Sequence, residues 1–174
     1  MIKLMELLKE ATGNPKALIL AGAPGSGKGY ILKDLDLEGL KTFNIDNTFI
    51  DILKKANVTL DLKNATPKER SEAAKAMAAA TKELKTDIIP KAIANQESFV
   101  LDGTAASLKN TLKLKDELEA VGYEVFMLYV YTDLERSLSQ NQERFQKSDG
   151  EDRSLAPAIV LRTWNSVTKN FEPY

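Results

Sequence analysis

Residues 17–30, Ala17-Leu18-Ile19-Leu20-Ala21-Gly22-Ala23-Pro24-Gly25-Ser26-Gly27-Lys28-Gly29-Tyr30, decide the fold. The first five are an unbroken apolar run, as expected of a strand buried on both faces. Gly22 to Gly29 then form a glycine-rich loop, and the pattern beyond Lys28 is helical. Glycines let a backbone turn tightly and aim successive N–H groups inward. The N-terminus of the helix adds unpaired donors and partial positive charge. Lys28 is long enough to reach a terminal phosphate. Strand, loop and helix together make a polyphosphate cradle, the P-loop. The pattern is met up to its last position, where Gly29 stands in place of the usual Ser or Thr.

The chain has 174 residues, enough for one domain with a sizeable core, here residues 1–174 with a small lid around 144–156. There is no cysteine and no histidine. A thiolate nucleophile, a Ser-His-Asp triad and a histidine-ligated metal are therefore excluded. Catalysis is left to carboxylates, Lys, Arg, hydroxyls and a hard cation such as Mg²⁺. The net charge of −1 argues against a nucleic-acid partner. No apolar stretch has the length of a membrane span and no secretory signal is visible, so the expected location is cytoplasmic.

Working outward from the loop, residues 2–11 read as a short amphipathic helix, 17–21 as the first strand and 28–36 as a helix. Thr42-Phe43-Asn44-Ile45 reads as a second strand ending at Asp46, followed by a helix over 47–56. Thr66-Pro67-Lys68-Glu69 is a capping box opening a helix with Ala73, Met77, Ala80, Leu84 and Ile88 on its inner face. Pro90 should kink or end that helix. Residues 98–102 form a third strand, Ser107 caps a helix to about 121, and Gly122 sits where a C-terminal glycine belongs. Tyr123–Tyr131 reads as a long strand covered on both faces. Thr132-Asp133-Leu134-Glu135 is a second capping box, residues 146–153 a polar loop, and a last helix from about 155 carries Val160, Trp164, Val167 and Phe171.

Strands alternating with helices predict an α/β, three-layer architecture with a parallel sheet of four to five strands. In such sheets ligands bind beyond the carboxyl ends of the strands, where Gly22, Asp46, Asp102 and Thr132 gather. Asp46 is read as a base for an acceptor hydroxyl or, alternatively, as a helix cap. Asp102, followed by Gly103, has the place of a Walker B carboxylate orienting Mg²⁺, with Ser26 a second oxygen donor. Arg144 and Arg153 flank the polar loop and suit a lid that neutralises phosphoryl charge. Tyr30 packs under the loop or stacks on a ligand.

With these residues in hand, the chain resembles the nucleoside-monophosphate-kinase-like branch of P-loop kinases, and within it zeta-toxin-type and related phage kinases. Gly22-Ala23-Pro24-Gly25-Ser26-Gly27-Lys28-Gly29 is similar to the loop of adenylate kinases, which follow it with Thr where this chain has Tyr30. Phe99-Val100-Leu101-Asp102-Gly103-Thr104 is similar to the Asp-Gly-Thr segment of zeta-like kinases, and Asp46 matches their base after strand two. The resemblance implies the P-loop fold with strand order 2-3-1-4. It also implies ATP and Mg²⁺ as cofactors, and ATP-phosphate contacts for Arg144 and Arg153. The family continues to a fifth strand; this chain stops at Tyr174, so that strand is absent or the chain is cut short. The expected activity is γ-phosphoryl transfer from ATP to a small-molecule hydroxyl. A nucleoside-monophosphate kinase is a rival that lacks acceptor arginines in segments 46–58 and 102–107. The other rivals are a non-catalytic ATP-binding module and, more weakly, a polynucleotide kinase. The acceptor, the oligomeric state and any antitoxin or other protein partner stay open.

Overall fold

Strand β1, Lys16–Ala21, is buried along its whole length, because it lies in the middle of the sheet with helices over both faces. In the computed structural model, which describes residues 13–35, 40–149 and 151–172, β1 pairs in parallel with β3 (Phe99–Asp102) and β4 (Glu124–Tyr129). Strand β2, Lys41–Asn44, pairs in parallel with β3 in a register that sets Asn44 opposite Asp102. The order is β2-β3-β1-β4, as the family resemblance implied. The two faces of β1 feed two cores. Ala17 packs with Phe99, Leu118 and Tyr123, while Leu18 and Leu20 pack with Val100, Leu32 and Phe126.

The helices are α1 (Lys28–Asp34), α2 (Ile45–Lys55), α3 (Pro67–Glu83), α4 (Ile89–Ala94), α5 (Leu108–Ala120), α6 (Leu134–Lys147) and α7 (Pro157–Lys169). The capping box at Thr66 forms in full: the Thr66 hydroxyl accepts from the Glu69 N–H and the Glu69 carboxylate accepts from the Thr66 N–H. The alanines of α3 let it approach α2 closely, and Ala73, Ala76 and Ala80 join Phe49, Leu53 and Val160 in a third core. Gly122, at φ +90°, follows α5 and lets the Tyr123 N–H reach the Leu118 carbonyl at 3.0 Å, as a C-terminal glycine should.

Several local expectations are corrected. The helix expected at 2–11 lies outside the described residues. Strand β2 ends at Asn44 and α2 begins at once, so Asp46 stands in the first turn of a helix. Asn44 is the cap: its side-chain oxygen accepts from the Asp46 N–H at 2.8 Å. Pro90, expected to kink or end the helix, interrupts it without stopping it. It has no N–H to give the preceding turn, and the chain absorbs this by widening into a π turn, Leu84–Ile88, before resuming as α4. Ser107 stands at the head of α5 but makes no side-chain cap bond. At α6 the cap is Asp133, accepting from the Arg136 N–H at 2.7 Å, rather than Thr132. Strand β4 is shorter than 123–131 and only half-buried throughout, because among the described residues it is the edge of the sheet, paired with β1 alone. Helix α6 runs on to Lys147, into the segment expected to be a polar loop.

Candidate active site

The loop after β1 is shaped by contacts that only glycine permits. A Cβ on Gly22 would meet the Ser26 hydroxyl and the Val130 carbonyl, each at 2.7 Å. Gly25 has φ +76°, and a Cβ there would lie 2.5 Å from the Ser137 carbonyl of α6. Gly27, at φ +90°, is the left-handed residue that turns the loop into α1. The fully buried Ser137 donates its hydroxyl to the Pro24 carbonyl, pinning α6 against the loop. Nothing in the periodicity of α6 distinguished Ser137; its role exists only once α6 is packed on the loop.

Lys28 donates from Nζ to the Gly22 and Ala23 carbonyls at 2.8 and 2.9 Å, which holds its ammonium across the loop mouth. Burial lowers its pKa to about 8, against the pull of the Asp102 and Asp46 carboxylates. Pro24 to Tyr30 line a cavity of about 910 Å³, while Gly22 and Ala23 stand behind its wall. Tyr30 does not pack under the loop; it is 73% exposed at the rim.

The same cavity is lined by Asp46, Asp102, Arg144 and Arg153. They arrive from the head of α2, the end of β3, the body of α6 and the segment before α7. Asp102 accepts from the Asn44 side-chain amide at 2.7 Å. Burial pushes its carboxyl above the usual range, with Lys28 opposing the shift. Asn44 thus uses both ends of one amide, its oxygen on the Asp46 backbone N–H and its nitrogen on the Asp102 carboxylate. Sequence reading placed it only as a strand residue, although Asn at a strand-to-helix junction is a cap signal. Arg153 is 9% exposed, donates from Nη2 to the Asp46 carboxylate at 2.5 Å, and lies over the Phe49 ring at 5.8 Å. Arg144 is paired with Asp152. Met77, expected in the core, is only half-buried and lines the cavity.

The site can receive phosphate from the loop N–H groups, Lys28 and two arginines, with two carboxylates facing the same space. Ser26 Oγ is buried and has no hydrogen-bond partner among the described residues. With Asp102 it offers the hard oxygen donors that suit Mg²⁺, which keeps most of its waters and uses few protein ligands. The described residues contain no cluster of three His, Cys, Asp or Glu side chains placed to hold a metal ion. No helix among them is long and apolar enough to cross a membrane.

Comparison with known proteins agrees with this geometry. The zeta toxin family profile matches residues 4–173. A solved structure from the PezAT chromosomal toxin-antitoxin system of Streptococcus pneumoniae is similar at TM-score 0.64 and 16% identity, over 97% of this chain and 68% of that one. A chain of the Pnkp1/Rnl/Hen1 RNA repair complex is similar at TM-score 0.59 and 17% identity over 95% of this chain. This chain spans 48% of that longer one. At these identities the structural likeness is one of fold. No curated protein sequence matches. The sheet order, the loop and the family match lead to one conclusion: the chain belongs to the zeta toxin family and has its P-loop kinase fold.

Proposed function

We propose that this chain is an ATP- and Mg²⁺-dependent phosphotransferase that moves the γ-phosphoryl of ATP to a hydroxyl of a small molecule. The observation that carries the reading is the convergence of Lys28, Asp46, Asp102, Arg144 and Arg153 on one cavity at the carboxyl edge of the sheet. The loop N–H groups and Lys28 bind the β- and γ-phosphates. Asp46 accepts the proton of the acceptor hydroxyl as its oxygen bonds to the γ-phosphorus, and the bond to the β–γ bridging oxygen breaks to release ADP. Arg144 and Arg153, carried by a lid of about residues 144–156, stabilise the charge on the transferring group. Asp102 and Ser26 would hold Mg²⁺, which supplies charge neutralisation at the phosphates when bound.

Among the described residues, Arg144 and Arg153 are the arginines that line the cavity, and both belong to the proposed lid. A nucleoside-monophosphate acceptor would call for a further clamp on its own phosphate. This favours a hydroxyl acceptor that does not present a phosphate at the reacting end. The test is transfer of label from γ-labelled ATP with Mg²⁺ into a metabolite extract, with wild type beside Asp46→Asn. Labelled product from wild type alone supports the proposal. ATP binding that Lys28→Ala removes, with no labelled product from any extract, would make the chain a binding module instead.

A further inference from the structure

Three consecutive residues at the end of the lid segment each tie down a different element. Asp152 pairs with Arg144 of α6, and Arg153 pairs with Asp46 of α2. Ser154 closes on the loop between α2 and α3, where three hydrogen bonds converge on it. Its hydroxyl donates to the Asp61 carboxylate at 2.6 Å and accepts from the Lys63 N–H at 3.1 Å. Its own N–H donates to the Leu60 carbonyl at 3.0 Å. Asp61 and Ser154 form an isolated parallel bridge. Asp61 is itself fixed, accepting from the Asn64 amide at 2.7 Å while its N–H donates to the Thr59 hydroxyl at 3.1 Å. These bonds hold the Asp61 carboxyl below the usual range, the Ser154 hydroxyl contributing most.

The loop over 59–64 does not line the cavity, yet it fixes the residue next to Arg153. Arg153 needs such an anchor. Its side chain is buried, its Nε has no hydrogen-bond partner among the described residues, and its one described ion pair is with Asp46, a group that the proposed reaction requires for another purpose. When phosphate draws the guanidinium from Asp46, the backbone at Ser154 is what keeps it in the cavity.

We propose that Asp61 and Ser154 are positioning residues, acting through Arg153 on the phosphates of ATP. The inference rests on the phosphotransferase reading above, and the test separates the two. ATP affinity with Mg²⁺ is measured by calorimetry for wild type, Asp61→Ala, Asp61→Asn, Arg153→Ala and Asp61→Ala/Arg153→Ala. Arg153→Ala should weaken binding about tenfold, the size of a lost charge-assisted bond. Asp61→Ala should weaken it about threefold to tenfold, by releasing Ser154. Asp61→Asn keeps an oxygen for the Ser154 hydroxyl and should bind within about twofold of wild type. The double variant should bind no worse than Arg153→Ala alone, since both changes remove the same interaction. Loss of packing around 59–64 that merely destabilised the fold would add to Arg153→Ala and would not be rescued by asparagine. Wild-type affinity in Asp61→Ala, or additive losses in the double variant, overturns the positioning role and leaves the phosphotransferase reading standing. Failure of wild type itself to bind ATP overturns both.

Discussion

Arg153 and Asp46, 107 residues apart in sequence, meet in an ion pair at 2.5 Å in which the buried guanidinium holds the carboxylate at the head of α2. One of these groups is suited to phosphate and the other to an acceptor proton. In the proposed reaction, a phosphate engaging Arg153 would compete with Asp46 for it and free the carboxylate.

Asp46→Asn should consequently do two things at once. Transfer should fall by about two to four orders of magnitude, the range for a lost general base. ATP affinity should rise about threefold to tenfold, because Arg153 no longer leaves a charge-assisted bond to meet phosphate. In an Arg153→Ala background the gain in affinity should vanish. Calorimetry and a γ-label assay read the two effects separately. A gain that persists without Arg153 would mean simple charge repulsion, and undiminished transfer would remove Asp46 as base.

Lys28 gives the site a pH dependence with a defined sign. Its free-site pKa is about 8, set by burial. Phosphate favours the ammonium and raises that value on binding. ATP affinity should fall as pH rises above about 8, and binding in that range should take up a proton. Lys28→Arg, charged at every accessible pH, should flatten the profile. For folding, an unfolded lysine near 10.5 binds more protons than the folded one between about 8 and 10.5. Stability of wild type relative to Lys28→Met should therefore increase with pH across that window. Calorimetric titration in buffers of different ionisation heat, and urea midpoints against pH, measure these effects.

Asn44 bonds the Asp46 backbone N–H and the Asp102 carboxylate, so its two functions can be separated. Asn44→Ala loses the cap of α2 and the bond to Asp102, and should cost about 1–2 kcal/mol in urea unfolding. Asn44→Asp keeps an oxygen for the Asp46 N–H but cannot donate to Asp102 as a carboxylate and places a like charge beside it. Its helix cap should survive while transfer drops, which comparison of far-UV melting with the label assay will read.

Gly25 and Gly29 lie in one loop-helix unit and should respond oppositely to alanine. At Gly25 the left-handed backbone and the Ser137 carbonyl leave no place for a Cβ. Gly25→Ala should lose about 1–3 kcal/mol and loosen α6 from the loop. Gly29 is in the first turn of α1 with nothing within 4 Å of a Cβ, and Gly29→Ala should stabilise by up to about 1 kcal/mol. Thermal melting of the two variants, without ligand, checks the contrast.

Residues 17–30 were legible because their signal is local: an apolar run, glycines where the backbone must turn, and a lysine at the helix start. The Thr66 capping box and Gly122 were legible for the same reason, since each pairs groups within a few residues. Strand–helix alternation then led to a parallel sheet, the family resemblance implied its order, and the rule that sites form at the carboxyl edge gathered Gly22, Asp46, Asp102 and Thr132. Local reading failed where two local solutions compete. Asn44 rather than Asp46 caps α2, and Asp133 rather than Thr132 caps α6, because backbone geometry chooses between neighbouring side chains of similar chemistry. The pairings of Arg153 with Asp46, Asn44 with Asp102, Ser137 with Pro24 and Ser154 with Asp61 were not legible at all. A polar side chain carries no periodicity that names its partner; packing of the apolar faces brings such groups together, and burial then requires that they be satisfied. Sequence alone determined the cradle and the alternation of strands and helices, and tertiary structure decided which charges face one another across the sheet.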